Sequence, residues 1–277
     1  MEYSYTKMSK NLSDNHFNFK KKYGQNFITD ENIVSKIANE SLLDNDTLAI
    51  EIGPGIGSLT TKLVKKAGHV LCYEIDNTLK EMLNENLKEY KNVDIIFDDF
   101  LKCNIKEDIK KYNYKKVYVV ANLPYYITTP IITKIIEDEL NIDKLVIMVQ
   151  KEVGDRFNAK VGTKEYNSLT IYLNYYFDIR KIMNVSRNSF LPKPNVDSVV
   201  IEFKRKEKLR ELKNKKLFFK LIRDSFKQKR KTLKNNLKEY NLDCVEKVLK
   251  KYNLDLSVRA ESLSLDIFID IANNMEG

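Results

Sequence analysis

Cysteine and histidine are scarce in this sequence of 277 residues. The three cysteines, Cys72, Cys103 and Cys244, are far apart and form no C-x-x-C pair, and the two histidines are His16 and His69. A disulfide framework, or a zinc site made of cysteine and histidine, would need more of these residues at closer spacing. The sequence therefore predicts no metal centre, and we expect the three cysteines to be ordinary core residues.

Long apolar segments are also missing. No stretch approaches the roughly 18–20 apolar residues that a membrane-spanning helix needs, and the first 15 residues lack the apolar segment of a secretion signal. With 43% hydrophobic and 31% charged residues, the chain is long enough for one large domain, alone or with a small appendage. We expect a cytoplasmic protein with no membrane partner.

Positive charge is concentrated in one part of the chain. The formal net charge is +9, and residues 205–255 contain 18 Lys and Arg against 7 Asp and Glu. The remaining sequence has 30 basic and 32 acidic residues, so the excess belongs to the C-terminal quarter. Such a cationic region is typical of a nucleic-acid-binding protein, although a lysine-rich solvated surface would have the same composition.

Apolar strand-like runs alternate with amphipathic helical patterns in the first two thirds of the chain. This alternation predicts an α/β fold with a parallel sheet covered on both faces. The predicted strands are residues 47–52, 69–75, 93–97, 116–121 and 145–150, and the predicted helices are 58–66, 77–90, 129–139 and 166–176. Residues 177–185 and 196–204 lack an intervening helix and indicate a closing antiparallel pair. From residue 206 onward the pattern is helical, which places a domain boundary near residue 205.

Glycine is rare, yet three of the eight glycines lie within five residues directly after the first predicted strand. Gly53, Gly55 and Gly57 belong to the segment E-I-G-P-G-I-G-S-L-T at residues 51–60. Glycine is needed where the backbone turns sharply and approaches a ligand closely, so we predict a cofactor-binding loop. Ser58 stands where the dinucleotide fingerprint G-x-G-x-x-G has its third glycine, which weakens NAD as the ligand and leaves other nucleosides open.

Acidic residues follow the next two predicted strands. Glu74 lies 21 residues after the first glycine of the loop, where a carboxylate can accept both hydroxyls of a ribose. Asp98 and Asp99 follow the third strand, where an acid can accept a hydrogen bond from an adenine amino group. Together with Glu51 and Asp76 they make this edge of the sheet acidic, which favours a cationic cofactor such as S-adenosylmethionine over NAD or ATP.

A polar and aromatic segment, N-L-P-Y at residues 122–125, ends the fourth predicted strand. Packing alone does not explain it, because a buried amide and a buried hydroxyl each need hydrogen-bond partners. The Asn122 side-chain oxygen and the Leu123 carbonyl, in a backbone restricted by Pro124, can accept hydrogen bonds from an exocyclic amine while an aromatic ring stacks on its base. Two such acceptors can orient an adenine N6 towards an electrophilic methyl group without a strong general base.

Seven segments distributed along the chain resemble those of a known family. They are Y-G-Q-N-F at 23–27, E-I-G-P-G-I-G at 51–57, Y-E-I-D at 73–76, N-L-P-Y at 122–125, Q-K-E-V at 150–153, F-L-P-K-P at 190–194 and F-K-Q-K-R-K-T-L-K-N-N at 226–236. In this combination the sequence resembles the rRNA adenine N6,N6-dimethyltransferases, and within them the KsgA-type enzymes of small-subunit ribosome assembly. The resemblance implies a Rossmann-like class I methyltransferase sheet, parallel with a terminal antiparallel strand, and a small C-terminal α-helical domain.

The resemblance also implies roles for individual residues. It implies that Tyr125 and Phe190 stack on the target adenine, and that residues 25, 26 and 28 surround the methionine end of S-adenosylmethionine. The predicted catalytic residues are Asn122, Leu123, Pro124, Tyr125 and Phe190. The predicted cofactor-binding residues are Gln25, Asn26, Ile28, Gly53, Gly55, Glu74, Ile75, Asp99 and Asn122.

The family has two branches with different substrates. KsgA-type enzymes modify two adjacent adenosines in the 3′-terminal hairpin of 16S rRNA, with four methyl transfers in all, whereas Erm-type relatives methylate one adenosine of 23S rRNA and confer macrolide resistance. The G-Q-N-F segment and the R-K-T-L block at residues 230–233 favour the KsgA type. Lys229 departs from the family, which often has Arg there, and the tail before Tyr23 is untypically long.

The resemblance leads to a domain and partner prediction. We expect an N-terminal tail (1–22), a methyltransferase domain (23–205) and a basic helical RNA-binding domain (206–277), acting as a monomer on 16S rRNA within the 30S subunit or its precursor. Apolar positions at mostly helical spacing over residues 218–237 predict a packed helix face with cations opposite. The predicted RNA-binding residues are Arg223, Lys227, Arg230, Lys231 and Lys234.

Two functions of other classes remain open from the sequence. A nicotinamide oxidoreductase would explain the sheet and Glu74 but not the N-L-P-Y segment or the basic C-terminal quarter. A non-catalytic RNA-binding assembly factor would explain the charge, but loss of the glycine loop or of N-L-P-Y would be its mark, and both are intact.

Overall fold

In the part of the chain that the structure describes, nine strands form one large and one small sheet. The structure is a computed structural model, and it describes residues 19–20 and 23–275. In chain order the strands are β1 (Phe27–Ile28), β2 (Thr47–Ile52), β3 (His69–Tyr73), β4 (Val93–Ile96), β5 (Lys116–Asn122), β6 (Lys144–Gln150), β7 (Phe177–Val185), β8 (Phe190–Leu191) and β9 (Ser198–Arg205). The large sheet has the order β4-β3-β2-β5-β6-β9-β7, and β1 pairs with β8 separately.

The strand directions confirm the predicted α/β class. Strands β4, β3, β2, β5 and β6 are parallel to one another. Strand β9 is antiparallel to β6, with Lys144 opposite Lys204. The two stretches expected to close the sheet are neighbours in it, and β9 is the one that pairs with β6. Every residue of β2 is buried, as expected for a central strand covered on both faces.

The helices of the α/β region precede or connect the strands. They are α1 (Glu31–Glu40), α2 (Thr60–Leu63), α3 (Lys80–Leu87), α4 (Ile105–Lys110), α5 (Thr128–Glu137) and α6 (Lys151–Phe157). The helix predicted over 58–66 is limited to α2, because the turns of the glycine loop extend to residue 59. Helices α1, α4 and α6 were not predicted. Asp30 and Asn104 cap α1 and α4 by accepting backbone N–H bonds, and both are typical N-cap residues.

The described chain divides into two structural units. The first contains residues 19–20, 23–154 and 180–204, and the second contains 155–179 and 205–275. Residues 155–179, which include α7 (Ser168–Tyr176), thus group with the C-terminal helices rather than with the methyltransferase domain to which the sequence assigned them. The predicted tail (1–22) lies outside the described residues except for Phe19 and Lys20.

The remaining helices are α8 (Lys215–Ser225), α9 (Leu233–Asn236), α10 (Leu242–Lys250) and α11 (Leu265–Asn274). The apolar positions of the helix face predicted over residues 218–237 lie on two helices and not on one, because α8 ends at Ser225. The Asn236 side chain explains this end: its Nδ2 donates to the carbonyls of Ser225 and Gln228 (2.7 and 3.2 Å), and its Oδ1 accepts from the Gln228 N–H. These bonds hold the chain in a turn between the two helices.

The three cysteines differ in their exposure to solvent. Cys72 is buried as expected, but Cys103 and Cys244 are partly exposed, and the Cys244 Sγ donates to the Asn274 carbonyl (3.0 Å) rather than packing in the core. Among the described residues, no helix has the length and apolar character required to cross a bilayer.

Candidate active site

A cleft lies where the carboxyl ends of β2, β3, β4 and β5 meet. The parallel registers place Ile52 beside Tyr73 and Tyr73 beside Ile96, so the segments that follow these strands emerge at one edge of the sheet. The segment 23–28 and the 3₁₀ helix Tyr125–Ile127 also line the cleft. The empty space in the cleft is about 940 Å³ when the open solvent at its mouth is included.

The structure brings nearly all predicted cofactor and catalytic residues into this cleft. Those that line it are Gln25, Asn26, Ile28, Gly53, Gly55, Glu74, Ile75, Asp99, Asn122, Leu123, Pro124 and Tyr125. Phe190 is the predicted residue that does not line it. Its strand places it opposite Ile28, and its ring is 3% exposed within the main core cluster. In this arrangement Phe190 supports the wall that holds Ile28, and its stacking role stays a prediction.

The glycine loop fits closely under the N-terminal segment. Gly55 has a φ of +61°, and a Cβ at this position would lie 2.6 Å from Cε1 of Phe27. A side chain would therefore strain the backbone and collide with the ring. This close approach explains why glycine is needed in the loop even before a ligand is considered.

Glu74 lies directly beneath the same loop. Its Oε2 accepts the Gly55 N–H (3.0 Å), and its Oε1 accepts the Asp76 N–H (2.8 Å). The side chain is 4% exposed, and burial raises its pKa to about 7 although the two backbone hydrogen bonds act in the opposite direction. Each oxygen retains a second lone pair, so the carboxylate can still accept from a pair of ligand hydroxyls.

Asp76, predicted only as part of the acidic edge of the sheet, has a structural role in the site. It is 1% exposed, and its carboxylate accepts hydrogen bonds from Lys20 Nζ (2.6 Å) and Gln25 Nε2 (2.7 Å). Burial acts to raise its pKa, but the bonds from Lys20 and Thr78 hold the pKa below the usual value. Asp76 thereby fastens the N-terminal segment to the end of β3. The Y-E-I-D segment was a signal, because it places a second acid two residues after Glu74.

Asn122 is the last residue of β5 and joins the two sides of the cleft. Its Nδ2 donates to the backbone carbonyl of Asn26 (3.0 Å), which fixes the orientation of the amide. The Tyr125 hydroxyl forms a hydrogen bond with Ser198 Oγ (2.6 Å) at the start of β9, and this bond fixes the second polar group of the segment. Tertiary contacts thus position both groups that the sequence singled out.

The sequence matches a protein family over most of its length. The match is to the family described as Ribosomal RNA adenine dimethylase, and it covers residues 16–276. The chain belongs to this family. Among its relatives is Ribosomal RNA small subunit methyltransferase A of Staphylococcus aureus (strain Newman), which is 45% identical over 91% of this chain and 88% of the relative; the protein of strain JH9 has the same identity and coverage.

Two solved structures resemble this rRNA adenine dimethylase in fold. A dimethyladenosine transferase from Plasmodium falciparum has a TM-score of 0.73 and 26% identity, with coverage of 88% of this chain and 95% of its own. The 23S rRNA methyltransferase ErmE has a TM-score of 0.71 and 23% identity, with coverage of 91% and 100%. The fold is therefore that of the class I rRNA methyltransferases, as the resemblance of the motifs implied.

Family membership identifies the enzyme as an rRNA adenine methyltransferase. The nicotinamide oxidoreductase interpretation loses its support, because the family match includes both the N-L-P-Y segment and the basic C-terminal quarter. The Erm-type alternative is less well supported than the KsgA type, because the relatives at 45% identity are small-subunit methyltransferases.

The predicted RNA-binding cations of this dimethylase are all on the surface of the second unit. Arg223, Lys227, Arg230, Lys231 and Lys234 are exposed. Within the part of the chain that the structure describes, none of these five forms an ion pair. The neighbouring Lys220, in contrast, pairs with Asp224 (3.1 Å). The charges of these five predicted RNA-binding residues are therefore available to phosphates.

Glu51 provides a test of the electrostatics beneath the glycine loop. The side chain is 2% exposed, and burial is the main reason that its pKa rises from 4.5 to about 8. Between these values the folded protein retains a proton that the unfolded chain releases, so the stability contributed by Glu51 falls as pH rises. We expect the free energy of unfolding of wild type, relative to Glu51→Gln, to fall by up to about 1.4 kcal/mol per pH unit in this window.

Urea denaturation of both proteins at pH 5, 6, 7 and 8 measures this difference, because titrations shared by the two proteins cancel. Glu89→Gln is the matched control, since Glu89 is exposed. The difference in unfolding free energy between wild type and Glu89→Gln should be independent of pH. A difference between wild type and Glu51→Gln that is constant from pH 5 to pH 8 would contradict a raised pKa.

Proposed function

We propose that this enzyme transfers methyl groups from S-adenosylmethionine to the N6 amines of two adjacent adenosines in the 3′-terminal hairpin loop of 16S rRNA. Its substrate is the 30S ribosomal subunit or a precursor of it, and the proposal includes a monomeric enzyme in the cytoplasm. Residues of the first unit perform the chemistry, and the cations of the second unit bind rRNA phosphates.

Asn122 carries this proposal. Because its Nδ2 is held by the Asn26 carbonyl (3.0 Å), its Oδ1 is the atom left to accept a hydrogen bond from an adenine N6 amine. The Leu123 carbonyl is the second acceptor, and Pro124, with φ −57°, restricts the backbone that follows this carbonyl. Two acceptors that hold both N–H groups orient the nitrogen lone pair, which is the positioning that a weak nucleophile needs.

The residues of the cleft suit S-adenosylmethionine. The Ser58 Oγ lines the cleft, is buried, and has no hydrogen-bond partner among the described residues, and such atoms are usually satisfied by a ligand or water. Glu74 is placed to accept ribose hydroxyls, and Asp98 and Asp99, which also line the cleft, favour a cation. When bound, this cofactor supplies a methyl group on a positively charged sulfur, and the acidic cleft favours that charge.

The small-subunit target is favoured over the large-subunit target by two observations. The relatives with 45% identity are named for the small ribosomal subunit, whereas the likeness to ErmE, at 23% identity, concerns the fold. The G-Q-N-F and R-K-T-L segments agree with the first assignment.

Incubation with labelled S-adenosylmethionine and unmethylated 30S and 50S particles, followed by mapping of the modified adenosines, tests the proposal. We expect two adjacent dimethylated adenosines near the 3′ end of 16S rRNA. Labelling of a single adenosine in 50S particles would instead assign the Erm-type activity, and absence of transfer to both particles would favour a non-catalytic assembly factor.

The exposed cations of the second unit lead to a prediction on RNA binding. Neutralising Arg223, Lys227 and Lys231 together should weaken binding to 30S particles and flatten its salt dependence by roughly one unit of log–log slope per lost phosphate contact. The affinity for S-adenosylmethionine should not change, because these residues lie outside the cleft. Binding titrations at several salt concentrations measure the slope.

The matched control removes the same charge elsewhere in the second unit. Lys247, Lys250 and Lys251 are exposed on or just after α10, and their triple neutralisation should alter the slope much less. An unaltered slope in the Arg223, Lys227 and Lys231 variant would mean that the RNA binds elsewhere. An equal change in both variants would mean that net charge alone is responsible.

A further inference from the structure

Tyr126 has an exposed aromatic ring in the wall of the active-site cleft. Its side chain is 53% exposed, which is unusual for a large ring in this protein, and it lines the cleft together with Asn122 and Tyr125. No role was assigned to it from the sequence. Of the two adjacent tyrosines, Tyr125 is only partly exposed, whereas more than half of Tyr126 is exposed, and this difference needs an explanation.

The local helix explains the different directions of the two rings. Residues 125–127 form a 3₁₀ helix, in which successive side chains are about 120° apart. Tyr125 is directed towards the sheet, where its hydroxyl meets Ser198 Oγ (2.6 Å). Tyr126 is therefore directed away from Ser198, and its ring lies against Gly24 on the other wall of the cleft.

Gly24 supports one side of the Tyr126 ring. Its φ is +57°, and a Cβ on Gly24 would lie 3.0 Å from Cδ1 and 3.2 Å from Cε1 of Tyr126. The missing side chain leaves room for this edge of the ring, and Tyr126 as a whole is 53% exposed. An aromatic ring that is held at one edge and exposed over about half of its surface can accept a stacked base.

We propose that Tyr126 stacks on the base next to the target adenine. This inference rests on the proposed function, in which the substrate has two adjacent adenosines. When one adenine enters the cleft and reaches Asn122, its neighbour is one nucleotide away, at the mouth, and has lost a stacking partner. Tyr126 replaces that partner, so it positions the RNA strand for the reaction at Asn122.

Three substitutions separate stacking from simple packing against Gly24. Tyr126→Ala should raise the KM for unmethylated 30S particles by about 5- to 100-fold, the range for loss of one base–aromatic stack. Tyr126→Phe should restore the KM, because the ring is retained, whereas Tyr126→Leu should not, because it retains apolar bulk without an aromatic face. The affinity for S-adenosylmethionine and the kcat at saturating particle concentration should remain near wild type in all three.

A direct probe of the contact is 2-aminopurine at the neighbouring adenosine of reconstituted 30S particles, because stacking quenches its fluorescence. Wild type and Tyr126→Phe should quench the probe, and Tyr126→Ala should not. Leu42→Ala is the control for loss of an exposed apolar side chain, since Leu42 is 67% exposed and does not line the cleft; it should behave as wild type in both assays.

Two sets of results would overturn the inference while the proposed function stands. In the first, the wild-type protein methylates the particles, but Tyr126→Ala has an unchanged KM or quenches the probe as strongly as wild type does. The second is a parallel loss of S-adenosylmethionine affinity in Tyr126→Ala and Tyr126→Leu, which would show that the ring only supports the cofactor wall. Wild-type protein that fails to methylate the particles overturns the proposed function, and this inference with it.

Discussion

Asn122→Ala should retain the fold and lower the single-turnover rate of adenosine methylation by on the order of 10² or more. The substitution removes the Asn122 Oδ1 acceptor for the N6 amine. It also removes the hydrogen bond from Asn122 Nδ2 to the Asn26 carbonyl, which orients the Asn122 amide. Rapid-quench measurement with saturating cofactor and unmethylated 30S particles isolates this step from product release.

Two measurements distinguish a role of Asn122 in the reaction from a general effect of the substitution. Calorimetry with S-adenosylmethionine should show a much smaller change than the rate does, because the glycine loop and Glu74 are unaltered. Asn184→Ala is the control, since Asn184 is an exposed amide on the edge strand β7 and its loss should not affect the rate. Near-normal single-turnover methylation by Asn122→Ala would remove Asn122 from the chemistry.

Glu74→Ala should weaken S-adenosylmethionine binding by roughly 1.5–3 kcal/mol, as for hydrogen bonds to a charged group. The carboxylate accepts the Gly55 N–H (3.0 Å), so its loss removes both a ligand acceptor and a support of the loop. Glu74→Gln retains the size of the side chain and one acceptor oxygen, so it can still accept one of the two backbone N–H groups while it lacks the charge. Titration calorimetry on each folded variant measures the change.

The pKa of Glu74 adds a pH signature to this prediction. Burial raises that pKa to about 7, and the ionised form is the better acceptor for ribose hydroxyls. Wild-type affinity relative to Glu74→Gln should therefore be greatest above pH 7 and fall as pH decreases through 7. Glu89→Ala, at an exposed site, should bind as wild type at every pH. Unchanged affinity in Glu74→Ala would exclude this residue from the cofactor site.

Parallel strands explain why so much of the cleft was predictable. The Gly53 loop, Glu74, Asp99 and Asn122 each follow or end a strand, and the carboxyl ends of parallel strands meet at one edge. Recognising the strands in the sequence was therefore enough to bring these residues together. The same reasoning could not place Phe190, because β8 belongs to the separate small sheet and its ring is packed in the core.

Contacts between distant segments were not predictable. The bonds of Asp76 to Lys20 and Gln25 join residues more than 50 positions apart in regions without a periodic pattern. The end of α8 at Ser225 depends on Asn236, which follows the turn that it stabilises. Neither interaction changes the local hydrophobic periodicity, which is the signal from which helices and strands are predicted.

The sequence by itself determined the α/β class, the glycine loop, the polar segment at residues 122–125 and the basic C-terminal quarter, because each depends on residue type and local spacing. The tertiary structure alone decided which side chains are buried and which remain open at the cleft. It placed Phe190 in the core, fixed the Asn122 amide on the Asn26 carbonyl and left the Tyr126 ring exposed against Gly24. The physical reason is that burial and hydrogen-bond partners are properties of segments brought together by folding, and such pairings leave no pattern in the local sequence.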